Sequence, residues 1–223
     1  MPCALITGCD EGIGRGFAEA CLADGWEVIA PYRDIAHRLP ESAGLTHYQL
    51  DVTQGADFKA VKSALAGRPI DVLVSNAAIA HDPMRLGALD FDLSVRMLDT
   101  NVLGPLRLVE TFRENVAASG QRKIAMITSR MGSIGANISG GHYVYRASKA
   151  GLNALARSLA IDLFREGIIV TMLHPGGVRT RGGTPDSPLS IEESVGGMRQ
   201  VIARLGLHET GQFYSYAGMP LPW

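Results

Sequence analysis

The sequence predicts an α/β fold: a single domain built on a doubly wound parallel sheet of about seven strands, with helices on both faces. Three observations predict it. Short runs rich in Val, Ile and Leu show little polar alternation, the pattern of strands buried on both faces. Longer segments of helical period separate them, and strand–helix–strand repetition forces parallel pairing with right-handed crossovers. The 223 residues are 46% hydrophobic, enough for one large core, and no composition break, repeat or low-complexity tract marks a linker.

The elements follow in order. A strand is expected near Ala4–Thr7, then a helix over Ile13–Ala23, strands over Glu27–Tyr32 and His47–Leu50, a helix over Ala56–Ala66 and a strand over Asp71–Ser75. A long helical segment over about Phe91–Ala118 leads to a strand over Lys123–Thr128. A helix near His142–Glu166, a strand over Ile168–Leu173, a helix over about Ile191–Leu205 and a last strand near Gln212–Ser215 complete the alternation. In such sheets ligands sit at the carboxyl ends of the strands. Gly8, Arg33, Asp51, Asn76, Ser129 and Pro175 all fall there and should converge on one crevice. Gly182 to Pro188 reads as a mobile loop, placed as a lid.

Bulk properties exclude several classes. A net charge of -1 and no long Lys/Arg run remove the footprint of a nucleic-acid or anionic-membrane binder, so no nucleic-acid or membrane partner is expected. No apolar run approaches the roughly 20 residues needed to span a bilayer, and the start of the chain lacks a signal-peptide pattern; a cytoplasmic protein is expected. Cys3, Cys9 and Cys21 lack Cys-x-x-Cys spacing and read as reduced, and the six histidines form no metal-ligand cluster.

Two motifs carry chemistry. Thr7-Gly8-Cys9-Asp10-Glu11-Gly12-Ile13-Gly14 follows the first strand and opens a helix, so Gly8, Gly12, Ile13 and Gly14 can bring backbone close to a pyrophosphate on the helix N-terminus. Three glycines there would equally serve a tight strand-to-helix turn. Tyr145 and Lys149 stand at i and i+4 on one helical face. A cation beside a phenol favours phenolate, so Lys149 is expected to draw Tyr145 below its ordinary pKa of about 10. Tyr143 has Ala147 rather than a lysine four residues on and reads as a pocket wall or packing residue.

These two motifs, with Asp51, Ser75-Asn76-Ala77-Ala78, Asn101, Ser129 and Pro175-Gly176, resemble the short-chain dehydrogenase/reductase family over nearly the whole chain. Gly140-Gly141, Tyr143 and the tail from Gly211 to Trp223 are similar to a compact branch that includes sniffer-type carbonyl reductases and C-factor-like proteins. The resemblance implies a Rossmann fold and hydride transfer between a nicotinamide cofactor and a small apolar carbonyl or alcohol substrate. Tyr145 would be general acid/base, and Lys149 would also hold the nicotinamide ribose. Ser129 would bind the substrate oxygen; read by itself it is a cap or turn serine. Ser133 ranks behind it. Asn101 would support a water relay to the lysine through its backbone carbonyl; its plain reading is a satisfied polar residue in a long helix.

For the cofactor, the resemblance places the adenine at Asp51 and Val52, the adenine ribose at Asn76, Ala77 and Ala78, and the nicotinamide carboxamide at Pro175, Gly176, Val178 and Thr180. Ala78 stands where the family's pattern has glycine, and Gly177 suggests a roomier site beside the nicotinamide. Tyr32 occupies the position where an NAD enzyme tends to place an acid, and Arg33 suits a 2′-phosphate, whereas Glu11 and Asp34 oppose one. NADP(H) is expected to be preferred, with NAD(H) as the alternative. A homodimer or homotetramer would fit the Leu and Ala on several faces of the two long helices. The competing reading is a cofactor-binding regulatory or signalling module with little turnover. A sugar-nucleotide epimerase would share Tyr-x-x-x-Lys, but the stretch after Pro175 is short for its added substrate domain.

Overall fold

The computed structural model describes residues 1–80, 85–180 and 186–223. The lid expectation over 182–185 and the first part of the loop that starts at His81 lie outside the described residues. Among the described residues, strands β1 (Cys3–Ile6), β2 (Glu27–Tyr32), β3 (Leu45–Gln49), β4 (Val72–Ser75), β5 (Lys123–Ile127), β6 (Ile169–His174) and β7 (Phe213–Ser215) form one sheet in the order β3-β2-β1-β4-β5-β6-β7. Every neighbouring pair is parallel. The order reverses between β1 and β4, the switch point beside which a doubly wound sheet opens its crevice.

Helices α1 (Gly12–Ala23), α2 (Gly55–Leu65), α3 (Phe91–Leu98), α4 (Gly104–Ala117), α5 (Tyr143–Asp162) and α6 (Ile191–Arg204) cover the two faces. Successive strand residues alternate between them, as a pleated backbone requires. Leu5, Ile124, Met126, Val170 and Met172 point into the core beneath α2, α4 and α5, with Phe58, Phe112 and Leu152. Ala4, Ile6, Ala125, Ile127 and Leu173 point into the second core beneath α1 and α6, with Phe17, Val195 and Met198. Both cores are large, and Phe112, fully buried, would cost about 3–5 kcal/mol if truncated to alanine. No helix among the described residues is long and apolar enough to cross a membrane.

Two ends show why helices begin where they do. Ser190 and Glu193 form a reciprocal capping box at the start of α6, with N–H to oxygen distances of 3.0 and 2.7 Å. Asp90 caps α3 by accepting from Leu93 N–H at 2.8 Å.

One expectation needs correction. The segment over Phe91–Ala118 is not a continuous α-helix: a π-helical stretch, Asp99–Leu103, separates α3 from α4, and Gly104 N–H donates five residues back to Asp99 O. Pro105 supplies the reason, because it has no N–H for the carbonyl four residues earlier, that of Asn101. Gly104 adds a packing demand, since a Cβ there would lie 3.0 Å from Val52. The widened turn is centred on Asn101, which sequence periodicity had left inside an ordinary helix.

Candidate active site

A cleft of about 540 Å³ opens over the switch point. Its wall contains Gly8, Gly12, Ile13, Arg33, Asp51, Val52, Asn76, Ala77, Ala78, Tyr145, Lys149, Pro175 and Thr180. Thirteen strand-end and loop residues singled out from sequence therefore meet in one place. Gly14, Asn101, Ser129, Gly176 and Val178 do not line it.

The cradle is built by close packing. Gly8 and Gly12 have φ of +70° and +59°, a region that L side chains rarely adopt. Gly14 has an ordinary φ, yet a Cβ there would stand 2.0 Å from Gly8 O, so helix and turn can touch only through a glycine. Asn76 staples the turn from the next strand: its Nδ2 donates to Thr7 O at 3.1 Å and Gly8 O at 3.0 Å. Thr7 Oγ1 answers by accepting from the N–H groups of Asn76 and Ala77, both at 3.1 Å. The first N–H groups of α1 receive no side-chain cap and open onto the cleft, the donor set that suits a pyrophosphate. The cradle fits a dinucleotide, which Gly8, Gly12, Ile13, Asn76, Ala77 and Ala78 would hold.

At the other end stand Tyr145 and Lys149 on α5. Lys149 Nζ lies 5.8 Å from the Tyr145 ring centroid and donates to Ile127 O at 3.1 Å. Burial pulls its pKa down to about 8. The expected lowering of Tyr145 is reversed in this structure. Burial raises its pKa, and the hydrogen bond with Ser129 works in the opposite direction. Ser129 takes its plain reading as a cap, its Oγ accepting from Met131 N–H at 3.1 Å to close a short 3-10 turn, and it also hydrogen-bonds Tyr145. Ser133 is buried and ends a turn, accepting from Ala136 N–H. Tyr143 is 44% exposed and packs no core.

Asn101 is buried with its side chain fully used. Its Oδ1 accepts from Ile79 N–H at 2.8 Å, while Nδ2 donates to Ile79 O at 2.9 Å and Ser148 Oγ at 3.0 Å. It locks the strand β4 loop to α5 one residue before Lys149. Asp51 Oδ1 accepts from Thr53 N–H at 2.9 Å and its hydroxyl at 2.8 Å, forming a turn on the cleft wall. Asp34 caps the short helix Ile35–His37, accepting from Ala36 N–H at 3.0 Å, and lies 3.4 Å from the His37 ring. Among the described residues Arg33 makes no ion pair and is exposed on the cleft wall. At Gly177 an added Cβ would lie 3.2 Å from Pro188.

Sequence reasoning missed four supporting residues. Arg107 donates to Val52 O at 3.2 Å and pairs with Asp99 at 2.8 Å, fixing the Val52 corner of the cleft. Gly132 allows the turn after Ser129 to touch α5, where a Cβ would come within 2.7 Å of the Lys149 backbone. Ser194 Oγ donates to Pro175 O at 2.6 Å and ties α6 to the cleft. Thr7 is the fourth. A threonine at a strand end and a glycine after a strand-end serine carry no distinctive period, so none of the four stands out from sequence alone.

Comparison with known proteins agrees with this geometry. Residues 2–188 match the family model described as short chain dehydrogenase. C-signal of Myxococcus xanthus is 42% identical over 70% of this chain and 93% of its own. The NADPH-bound carbonyl reductase from chicken fatty liver superposes with a TM-score of 0.89 at 30% identity, covering 100% of this chain and 99% of that one. Carbonyl reductase Sniffer of D. melanogaster gives a TM-score of 0.89 at 29% identity, with both chains covered completely. From the glycine cradle to the Ser129, Tyr145 and Lys149 group, this chain belongs to the short-chain dehydrogenase/reductase family.

Proposed function

We propose that this oxidoreductase is a carbonyl reductase or alcohol dehydrogenase that uses NADP(H) in preference to NAD(H) on a small apolar substrate. The observation that carries the reading is the joint placement of Tyr145, bonded by Ser129, and Lys149 at one end of the cleft that begins in the glycine cradle. A bound nicotinamide would supply or accept the hydride. Tyr145, held in its neutral form by burial, donates the proton that a carbonyl oxygen needs as negative charge builds on it. Ser129 positions that oxygen and keeps the phenol oriented. Lys149 carries its charge up to a pH of about 8 and favours the tyrosinate left behind. Asn101 holds α5 in register and, through its backbone carbonyl, supports the proton path to Lys149.

For the cofactor's other end, Arg33 favours a 2′-phosphate because Asp34 is engaged with the turn at Ala36. The solved carbonyl reductase from chicken is NADPH-bound, which supports the same choice. Asp51 and Val52 would take the adenine, and Pro175, Gly176, Val178 and Thr180 the carboxamide. A cytoplasmic location belongs to this reading. So does pairing of two copies along α3, where Phe91, Val95 and Leu98 are exposed; light scattering checks it. Titration with NADPH and NADH, followed by a panel of ketones and alcohols, tests the function.

The second reading is a cofactor-binding signalling module with little turnover, favoured by the identity to C-signal. Tight NADPH binding with no turnover on any member of the panel would establish it instead.

A further inference from the structure

The chain between Ser129 and Tyr145 is anchored from two sides, and one anchor comes from a distant part of the sequence. Loop 133–142 leaves the turn after Ser129 and enters α5 at Tyr143. At its far end Arg146 Nε donates to Gly141 O at 3.1 Å, while Nη2 donates to Ser139 Oγ at 2.9 Å and Gly140 O at 3.3 Å. At its near end Gly135 N–H donates to Trp223 O at 2.8 Å. The fit is close, since a Cβ on Gly135 would stand 3.1 Å from that oxygen.

Trp223 is itself fixed to the sheet. Its ring packs on the buried Phe213 of β7, with centroids 5.9 Å apart and planes at 36°. Leu221 N–H donates to Phe213 O at 2.8 Å, and Pro220 bridges antiparallel to Tyr214. The stretch after β7 therefore folds back along the sheet edge and delivers one carbonyl to the loop. Along this loop Ile134 and Ile138 are 80% and 97% exposed, and Tyr143 stands two residues before Tyr145 with 44% exposure. The loop that joins Ser129 to Tyr145 thus presents three exposed apolar side chains.

We propose that Trp223 is a positioning residue for substrate: through Gly135 it sets the loop whose Ile134, Ile138 and Tyr143 receive the apolar part of a ketone. The proposal rests on the carbonyl-reductase reading above and adds to it the origin of apolar selectivity. Lost anchoring raises KM without touching the reacting atoms, because it removes binding that is equal in ground and transition states.

The test compares Trp223→Ala, Trp223→Phe and Gly135→Pro, using an aryl ketone and a small polar ketone, with amide hydrogen exchange followed over 133–142. Gly135→Pro removes the donor while keeping the Trp223 and Phe213 side chains, so it separates loop anchoring from truncation of the core. Trp223→Ala and Gly135→Pro should each raise KM for the aryl ketone roughly tenfold, leaving kcat and the NADPH dissociation constant near wild type. KM for the polar ketone should stay within about twofold, loop exchange should quicken, and Trp223→Phe should restore both readouts. Unchanged KM and exchange in Gly135→Pro would overturn the proposal, as would a proportionate loss of kcat and NADPH affinity. A wild type that reduces neither ketone would sink the catalytic reading, and loop exchange would then decide the anchoring by itself.

Discussion

Lys149 Nζ sits 5.8 Å from the centroid of the Tyr145 ring and spends a hydrogen bond on the Ile127 carbonyl. The two side chains share a buried site in which each disfavours being charged: the phenol is pushed up and the ammonium down to about 8. The donor form of Tyr145 is thus secured across neutral pH, and the group that titrates in the working range is the lysine.

Tyr145→Phe should abolish turnover and leave NADPH affinity within about twofold of wild type, since it removes only the hydroxyl that moves the proton. Tyr143→Phe is the control and should retain activity. Steady-state rates and a fluorescence titration give both numbers; more than a few per cent of wild-type turnover in Tyr145→Phe sinks the assignment.

The pH profile of carbonyl reduction should fall with an apparent pKa near 8, as Lys149 loses its charge, and not near that of a free phenol. Lys149→Met should remove this break and weaken NADPH binding together. Stability gives a second readout with a fixed sign. Lys149 is depressed from 10.5 to about 8 in the fold, so below 8 the protonated lysine costs folding free energy. That cost fades as pH rises from 8 to 10.5. Lys149→Met should therefore be more stable than wild type at pH 7, by on the order of 1–3 kcal/mol, with the gap closing over that window. Denaturant melts at pH 7 and 10 check it, and a gap that grows with pH contradicts the buried charge.

Gly14→Ala should damage the cradle most sharply, because its new methyl would meet Gly8 O at 2.0 Å. Overpacking at this contact should cost about 1–3 kcal/mol of stability and weaken NADPH and NADH alike. Gly55→Ala, where nothing lies within 4 Å, is the matched control and should do neither. Calorimetric titration of both cofactors separates a cradle from a plain turn: an affinity loss confined to one cofactor would argue against pyrophosphate binding there.

Arg33→Ala should cost NADPH roughly ten- to a hundredfold in binding and leave NADH almost unchanged, as a charge-assisted phosphate contact is worth on the order of 1.5 to 3 kcal/mol. Glu11→Lys should tighten NADPH by replacing an acid on the cleft wall with a cation. Paired dissociation constants decide it; a wild type that prefers NADH would reverse the cofactor assignment.

By itself the sequence determined the doubly wound sheet, since strand runs such as Ile124 to Ile127, apolar at every position, and Val170 to Leu173, apolar but for Thr171, can be buried only between two helical layers. It also determined the chemistry-bearing positions at strand ends, because period and strand order alone place Gly8, Arg33, Asp51, Asn76 and Pro175 around one crevice. Spacing put Tyr145 and Lys149 on one helical face, but spacing contains no dielectric. How deeply α5 buries that face was settled by distant residues: Gly132 against the Lys149 backbone, the Ile127 carbonyl beneath its ammonium, and Ser129 on the phenol. The same holds for the staple from Asn76 to Thr7 and Gly8, and for Trp223 on Gly135, where partners are separated by about seventy to ninety residues and no local pattern records the contact. Periodicity is set by a side chain's own neighbours in the chain, whereas desolvation and hydrogen-bond pairing depend on what the folded sheet brings beside it, and so only the tertiary structure could decide which of the two buried groups titrates first.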